Sequence, residues 1–428
     1  MGNLRVGVSK KEITPPVGTA LSGYIRRFGN SKGIHDPLWA NIIWITNGEN
    51  QVLFISLDVM NISQEFSSRA KAALTEETGI AKENILMAAI HTHSAPGIHI
   101  FRDDSKRDKN WEERVLHTLV AGSDQARQRS KKALLGTETG QASIGCDRRK
   151  SGGGIDPYLT VAGFFDKGEK PFASIANYGC HPVVLAEDNL LISADYVGYF
   201  RSQLEKFLSS EVTTLFFTGA AGNVDPIERG SFQVAERLAE VLAIKARQVM
   251  GKMKLQSSAE IKTAQIRIEI PYGWIPSAEE AQDIYRENLF AHLRALEKGG
   301  KEEKKIQKAF LLWAEALREK ARAGKLPHSL ECDLQAVKVG EAVFLAFPFE
   351  LFSALSLDLR SQSGIQYLFL LAYANGYHGY LADEKSVRDG GYETEEAFKY
   401  TGLQPFSAQG GNIFLKNALS LLEMLGTK

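Results

Sequence analysis

The chain has 428 residues, 44% of them hydrophobic, and its 51 Lys and Arg balance 51 Asp and Glu. That length and apolar content fit a folded protein of one large domain or two to three ordinary ones and argue against disorder. Zero formal net charge gives no electrostatic reason to expect nucleic acid or an acidic membrane surface as the main partner.

In chain order, the opening stretch "MGNLRVGVSKKEITPPVG" lacks the apolar core of about 7–15 residues that a secretory signal requires. No later window approaches the ~20 apolar residues of a membrane span, so a soluble, cytoplasmic protein is expected. Short apolar runs rich in β-branched and aromatic residues predict strands at Asn41–Thr46 and Val52–Leu57, with a helical pattern at Gln64–Glu77 and a strand at Ile85–Ile90. Helix Glu112–Lys132, strand Ser174–Tyr178, helix Val197–Leu208, strand Thr213–Phe217 and helix Ser231–Gly251 follow. From Pro276 to Lys325 the chain is rich in Glu, Lys, Ala and Leu, opens with a Ser277-x-x-Glu280 capping box and breaks at Gly299-Gly300, which predicts an inserted helical hairpin. Its charge-laced faces suit a solvated brace, with a lid or partner surface as the functional alternative. Strands Ala342–Ala346 and Tyr367–Ala372 come next. This alternation predicts an α/β fold, a central mixed β-sheet flanked by helices, as a single domain without internal repeats. Cys146, Cys180 and Cys332 follow no zinc-finger or Cys-x-x-Cys spacing and read as reduced thiols.

The stretch "AAIHTHSAPG", Ala88 to Gly97, holds a His-x-His pair at the end of an apolar run. If the strand continues into it, His91 and His93 leave on one side, because residues two apart on a strand share a face. Such a pair is a metal site, an acid/base pair or two hydrogen-bonded structural residues. Pro96 and Gly97 end the strand abruptly, and strand ends in α/β sheets are where sites collect. His181 in "NYGCHPVVL" and Glu350 in "PFELF" also follow predicted strands. Read singly, one could be a hydrogen-bonded core histidine and the other a helix N-terminal acid.

Together, the boxes "EITPPVGTALSGY", "GIHDPLWANIIWI", "AAIHTHSAPG", "NYGCHPVVL…SADYVGY", "TGAAGNVDP", "PFELF" and "NGYHGYLADEKSVRDGGYE" resemble, in order, those of the neutral, non-lysosomal ceramidases, from about Glu12 to Glu393. The resemblance implies a zinc-dependent amidohydrolase in which His91, His181, Glu350 and Tyr380 hold one catalytic Zn2+. It further implies that His93, Tyr392 and Arg148, or its neighbour Arg149, meet the substrate carbonyl, with His93, Arg148, Tyr380 and Tyr392 as catalytic residues. The residue types suit the reaction. Zinc-bound water, its pKa lowered from 15.7 to about 7, attacks an N-acyl amide such as that of ceramide. A tyrosine hydroxyl and an arginine can stabilise the oxyanion, and an imidazole can pass a proton to the departing amine. Asn177, Asp195 and Asp36 could orient the ligand imidazoles, or could simply shape turns and helix caps.

Two departures matter. Asp225 in "GNVDP" stands where ceramidases carry Ser, which would suit a polyhydroxylated or cationic substrate, or only shape the turn before Pro226. With the sequence running only to Lys428, a catalytic domain standing alone, without a C-terminal immunoglobulin-like domain, is expected. Three readings result: a ceramidase-like hydrolase of lipid metabolism with a small-molecule or lipid-like substrate, a metal-dependent hydrolase of a small polar ester or sugar derivative, and a non-catalytic zinc-containing binding protein.

Overall fold

The computed structural model describes residues 4–98, 107–149, 154–209 and 211–426, so residues 150–153, which follow Arg148 and Arg149, lie outside the described residues. The architecture is α/β, with the main strands distributed over three mixed sheets. One has five strands in the order Ile85–Ala89, Gln51–Leu57, Trp39–Thr46, Arg5–Glu12, Lys131–Lys132. A second has four, Thr213–Thr218, Pro171–Tyr178, Tyr158–Phe165 and Leu134–Gln141. The third also has four, Ile261–Pro271, Ser329–Val339, Ala342–Ala346 and Leu368–Leu371.

Strand alternation explains why three sheets pack together. Ile43, Phe54, Ile175, Phe217, Phe344 and Phe369 point into one shared inner core. Their alternates Ile42, Ile55, Ala176, Phe216, Leu345 and Leu370 join the outer core, where such helices as Gln64–Thr78, Asp195–Leu208 and Phe232–Met250 also pack. Apolar residues on both faces of these strands produce the continuous hydrophobic runs seen in the sequence.

Each sheet contains one parallel pair of strands: Gln51–Leu57 with Ile85–Ala89, Pro171–Tyr178 with Thr213–Thr218, and Ala342–Ala346 with Leu368–Leu371. Their edges are stitched to one another. Ser56 donates to Phe216 O at 2.6 Å, Thr218 Oγ1 donates to Ile90 O at 2.6 Å, and the Ala89 amide donates to Tyr373 O at 3.2 Å. His91, His181, Glu350 and Tyr380 all lie on the segments that leave the carboxyl ends of these pairs, the region where open α/β sheets collect ligands.

The helical hairpin forms from Ala278–Lys298 and Lys301–Arg322, and the Ser277–Glu280 capping box closes in both directions. It braces the Phe398–Thr401 helix: Trp313 Nε1 donates to Leu403 O at 2.8 Å, and Phe310 packs on Tyr400 with ring centres 5.4 Å apart. The helix expected over Glu112–Lys132 instead runs Lys109–Gln128, and Lys131–Lys132 pairs with Arg5–Val6 as a short strand. The charged run there carries no Gly or Pro stop signal, so the pattern alone overshoots. Among the described residues, no helix is long and apolar enough to cross a membrane.

One buried ion pair ties the sheets to the helices. Arg201 donates to both oxygens of Asp58, at 2.6 and 2.5 Å, and Asp58 also accepts the Trp39 amide at 2.8 Å. Asp58 immediately precedes the Val59–Met60 segment that supports His91. Arg201→Met leaves a fully buried carboxylate without its cation and is expected to cost about 3–5 kcal/mol of stability, read from urea unfolding followed by tryptophan fluorescence.

Candidate active site

The strand leading to the His-x-His box ends at Ala89. His91 then adopts φ 70°, in the left-handed region that costs a non-glycine residue about 1–3 kcal/mol. The two histidines therefore do not share a face by strand alternation; the turn at His91 brings them together. Three contacts hold that turn. The His91 amide donates to Val59 O at 3.1 Å, Nδ1 donates to Met60 O at 2.7 Å, and the ring stacks on Tyr373 at 3.9 Å and 11°.

Two glycines make room. A Cβ at Gly23, in the "LSGY" box, would lie 2.3 Å from the His93 ring, and its φ of 97° also favours glycine. A Cβ at Gly222, in "TGAAGNVDP", would lie 2.5 Å from the Glu350 carbonyl oxygen.

The geometry converges on one point. His91 Nε2 lies 3.3 Å from Glu350 Oε2, His181 Nε2 lies 2.9 Å from the same oxygen, and His93 Nε2 lies 3.3 Å from His91 Nε2. Carbonyls fix the tautomers of two rings: His91 Nδ1 faces Met60 O, and His181 Nδ1 faces Val224 O at 3.3 Å. With hydrogen on Nδ1, each Nε2 presents a lone pair to a carboxylate oxygen. Lone pairs held this close repel one another unless a cation lies among them. Ligand atoms at about 2.0–2.2 Å from a tetrahedral metal sit roughly 3.3–3.6 Å apart, which the 3.3 Å between His91 Nε2 and Glu350 Oε2 matches and the 2.9 Å from His181 approaches. The donor set fits a metal ion, and His91, His93 and His181, with ring nitrogens within 4.8 Å of one another, could bind one.

Burial sets the protonation states. It pushes His91 below the usual histidine range, and it pushes His93 further, helped by the neighbouring imidazoles. Burial opposes ionisation of Glu350; what holds its carboxyl well below the usual carboxylate range is positive charge at Oε2, from protonated His91 and His181 or, with both Nε2 atoms unprotonated, from a cation among them. Tyr377 donates its hydroxyl to Glu350 Oε1. Burial and then the Glu350 charge push the Tyr377 phenol well up, so it stays a donor.

Tyr380 pairs in register with Glu350 through a short parallel bridge and faces the same cavity. Burial, then Glu350, raises its phenol, and a hydrogen-bonded Arg148 opposes them. The Arg148 guanidinium lies 5.5 Å from the centre of the Tyr380 ring and contacts Glu393 at 2.8 Å and Asp225 at 3.2 Å. Arg149 instead binds Glu393, Ser386 O and Gly390 O. Asp225 lies between Arg148 and Arg229 rather than on the cavity wall. Tyr392 is half exposed at the rim, 6.2 Å from Tyr380 ring to ring.

The cavity, of about 350 Å³, is walled by His91, His93 and Glu350 at one end and by Tyr392, Tyr400 and Leu403 elsewhere. Asn177, Asp195 and Asp36 do not reach the imidazoles. Asn177 bridges Phe217 O and the Leu370 backbone, Asp195 accepts the Val184, Leu185 and Tyr196 amides, and Asp36 accepts the Ala194 amide. Backbone carbonyls take the orienting role instead. Tyr377 was not among the residues expected in the site, although it sits inside the "NGYHGYLADEK" box.

Residues 4–144 match the family described as neutral/alkaline non-lysosomal ceramidase, N-terminal. The chain is 24% identical to the neutral ceramidase of Pseudomonas aeruginosa over 249 residues, and 24% identical to neutral ceramidase A of Dictyostelium discoideum over 258. Over these stretches the chain is similar to the neutral/alkaline non-lysosomal ceramidases. These matches take in 52% and 53% of the chain but only 37% and 36% of the two relatives, little more than a third of their length. The ceramidase fold extends further. The crystal structure of the Pseudomonas aeruginosa neutral ceramidase superposes with a TM-score of 0.77 at 19% identity, over 99% of this chain and 75% of that one. A ceramidase complexed with C2 superposes with a TM-score of 0.78 at 18% identity, over 100% and 76%.

Removing the Tyr377 hydroxyl leaves one Glu350 oxygen buried without its donor. Tyr377→Phe is expected to lower stability by about 1–3 kcal/mol, measured as a shift in the denaturant midpoint relative to the wild-type chain.

Proposed function

We propose that this chain is a zinc-dependent amidohydrolase of the ceramidase type, cleaving an N-acyl amide bond of a small or lipid-like substrate by acyl transfer to water. The observation that carries the reading is the meeting of His91, His181 and Glu350 lone pairs at the inner end of the cavity. His91, His181, Glu350 and Tyr380 would hold the ion. Zinc in such a site supplies Lewis acidity and lowers the pKa of a water from 15.7 to about 7.

The chain's own groups account for the rest. His93, on the cavity wall beside His91, is placed to take a proton and return it to the departing amine nitrogen. The Tyr392 hydroxyl at the rim would donate to the developing oxyanion, and the positive Arg148 behind Tyr380 would support the same charge from a second side. Tyr377 keeps Glu350 oriented and ionised. A cavity walled by tyrosines with Met60, Ile62 and Leu403 offers an acyl chain an apolar surface and leaves polar groups for the amide. The polar-substrate alternative drew on a free carboxylate at Asp225, and the pairing of that carboxylate with Arg148 and Arg229 weighs against it.

Ligand and proton carrier separate experimentally. His91→Ala is expected to lose both stoichiometric zinc, measured by elemental analysis after loading, and hydrolysis of a short-chain N-acyl amide. His93→Ala is expected to keep the zinc while turnover falls about 10²–10⁴-fold. A wild-type chain that takes up no zinc, or a His91→Ala chain with full activity, defeats the proposal.

A further inference from the structure

Of the three clustered imidazoles, two are fixed by hydrogen bonds through Nδ1, His91 on Met60 O and His181 on Val224 O. His93 is not: its Nδ1 is buried and finds no hydrogen-bond partner among the described residues. No hydrogen bond on that edge fixes the ring, so its orientation rests on packing, with Gly23 close against it.

The packing is specific. Tyr24 meets the His93 ring edge-on, with centres 4.8 Å apart at 73°. Tyr24 is fastened at its far end: its hydroxyl donates to Leu185 O at 3.1 Å and accepts from Arg229 Nη2 at 2.7 Å. Arg229 is itself held by Asp225 Oδ2 at 3.4 Å, and the other oxygen of Asp225 takes Arg148 at 3.2 Å. Arg27 also lies 5.0 Å from the Tyr24 ring centre and donates to the His93 carbonyl oxygen at 2.6 Å. Tyr24 does not line the catalytic cavity, so it does not meet substrate there.

We propose that Tyr24 is the positioning residue for His93, and that Arg229 and Asp225 hold Tyr24 in place. The proposal rests on the hydrolase reading for its kinetic consequence but not for its structural one. It also accounts for Asp225, because through Arg148 and Arg229 this one carboxylate joins the wall behind Tyr380 to the wall behind His93. Neither a substrate contact nor a turn at Pro226 is needed to explain it.

A double-mutant cycle on the full-length, zinc-loaded chain tests this. Tyr24→Ala is expected to lower kcat about 10- to 100-fold, a loss typical of a misplaced catalytic group, with KM within about threefold and zinc content unchanged. Tyr24→Phe keeps the ring, and Arg229→Met removes the donor to the Tyr24 hydroxyl while leaving the Asp225–Arg148 pair in place; each is expected to lose less, about two- to fivefold. In the His93→Ala background, Tyr24→Ala should cost nothing more, because the residue it acts through is gone. An equal loss in both backgrounds, or an effect on KM alone, overturns the proposal. If Tyr24→Ala does not fold, Tyr24→Leu replaces it in the same cycle. A crystal structure of the variant gives the second readout: the His93 imidazole should occupy more than one orientation, and a single unchanged orientation overturns the proposal. Should the wild-type chain cleave no N-acyl amide, the hydrolase reading falls, and the variant's crystal structure still decides the role of Tyr24.

Discussion

A buried carboxylate facing two imidazole lone pairs is the constraint around which this molecule is organised. Glu350 stays ionised with almost no solvent, and the two nitrogens nearest its Oε2 belong to rings that have already committed their hydrogens to Met60 and Val224 carbonyls. Such an arrangement is costly by itself, since buried polar groups are tolerated only when paired. The surrounding structure meets that cost in identifiable places. Tyr377 satisfies the second oxygen, the stack on Tyr373 stabilises the left-handed turn at His91, and Gly222 lets the backbone beside Glu350 come close.

Much of the secondary structure was legible because period and punctuation agreed. Strands such as Ala342–Ala346 are short apolar runs bounded by turns, and the hairpin announces itself through Ser277, Glu280 and the Gly299-Gly300 break. The three-sheet arrangement was not legible. Alternation tells which residues face inward but not which strands become neighbours, so strands that read as one central sheet divide among three.

The candidate site divides in the same way. Side chains that carry chemistry could be picked out by type and by the company they keep. What orients them could not, because it is largely backbone: Met60 O and Val224 O have no residue signature, and a left-handed φ at His91 leaves no trace in a His-Thr-His triplet. Asn177, Asp195 and Asp36 attracted attention as polar residues near the boxes, yet they serve the joints between strands and helices. Tyr377 was hidden by abundance, since a box with tyrosines at 377, 380 and 392, and another just before it at 373, does not say which one touches the carboxylate.

The three parallel strand pairs have a consequence for how the molecule comes into being. Each contributes to the site from a different stretch of chain: Met60 and His91 from the first, His181 and Val224 from the second, Glu350 and Tyr380 from the third. No one sheet, once formed, contains a binding site. The pocket comes into existence only when the last sheet docks, after contacts spanning nearly three hundred residues have closed, and contacts of such sequence separation form slowly. An ion captured there binds the finished assembly and not its parts, so its binding free energy counts entirely toward keeping the three sheets together.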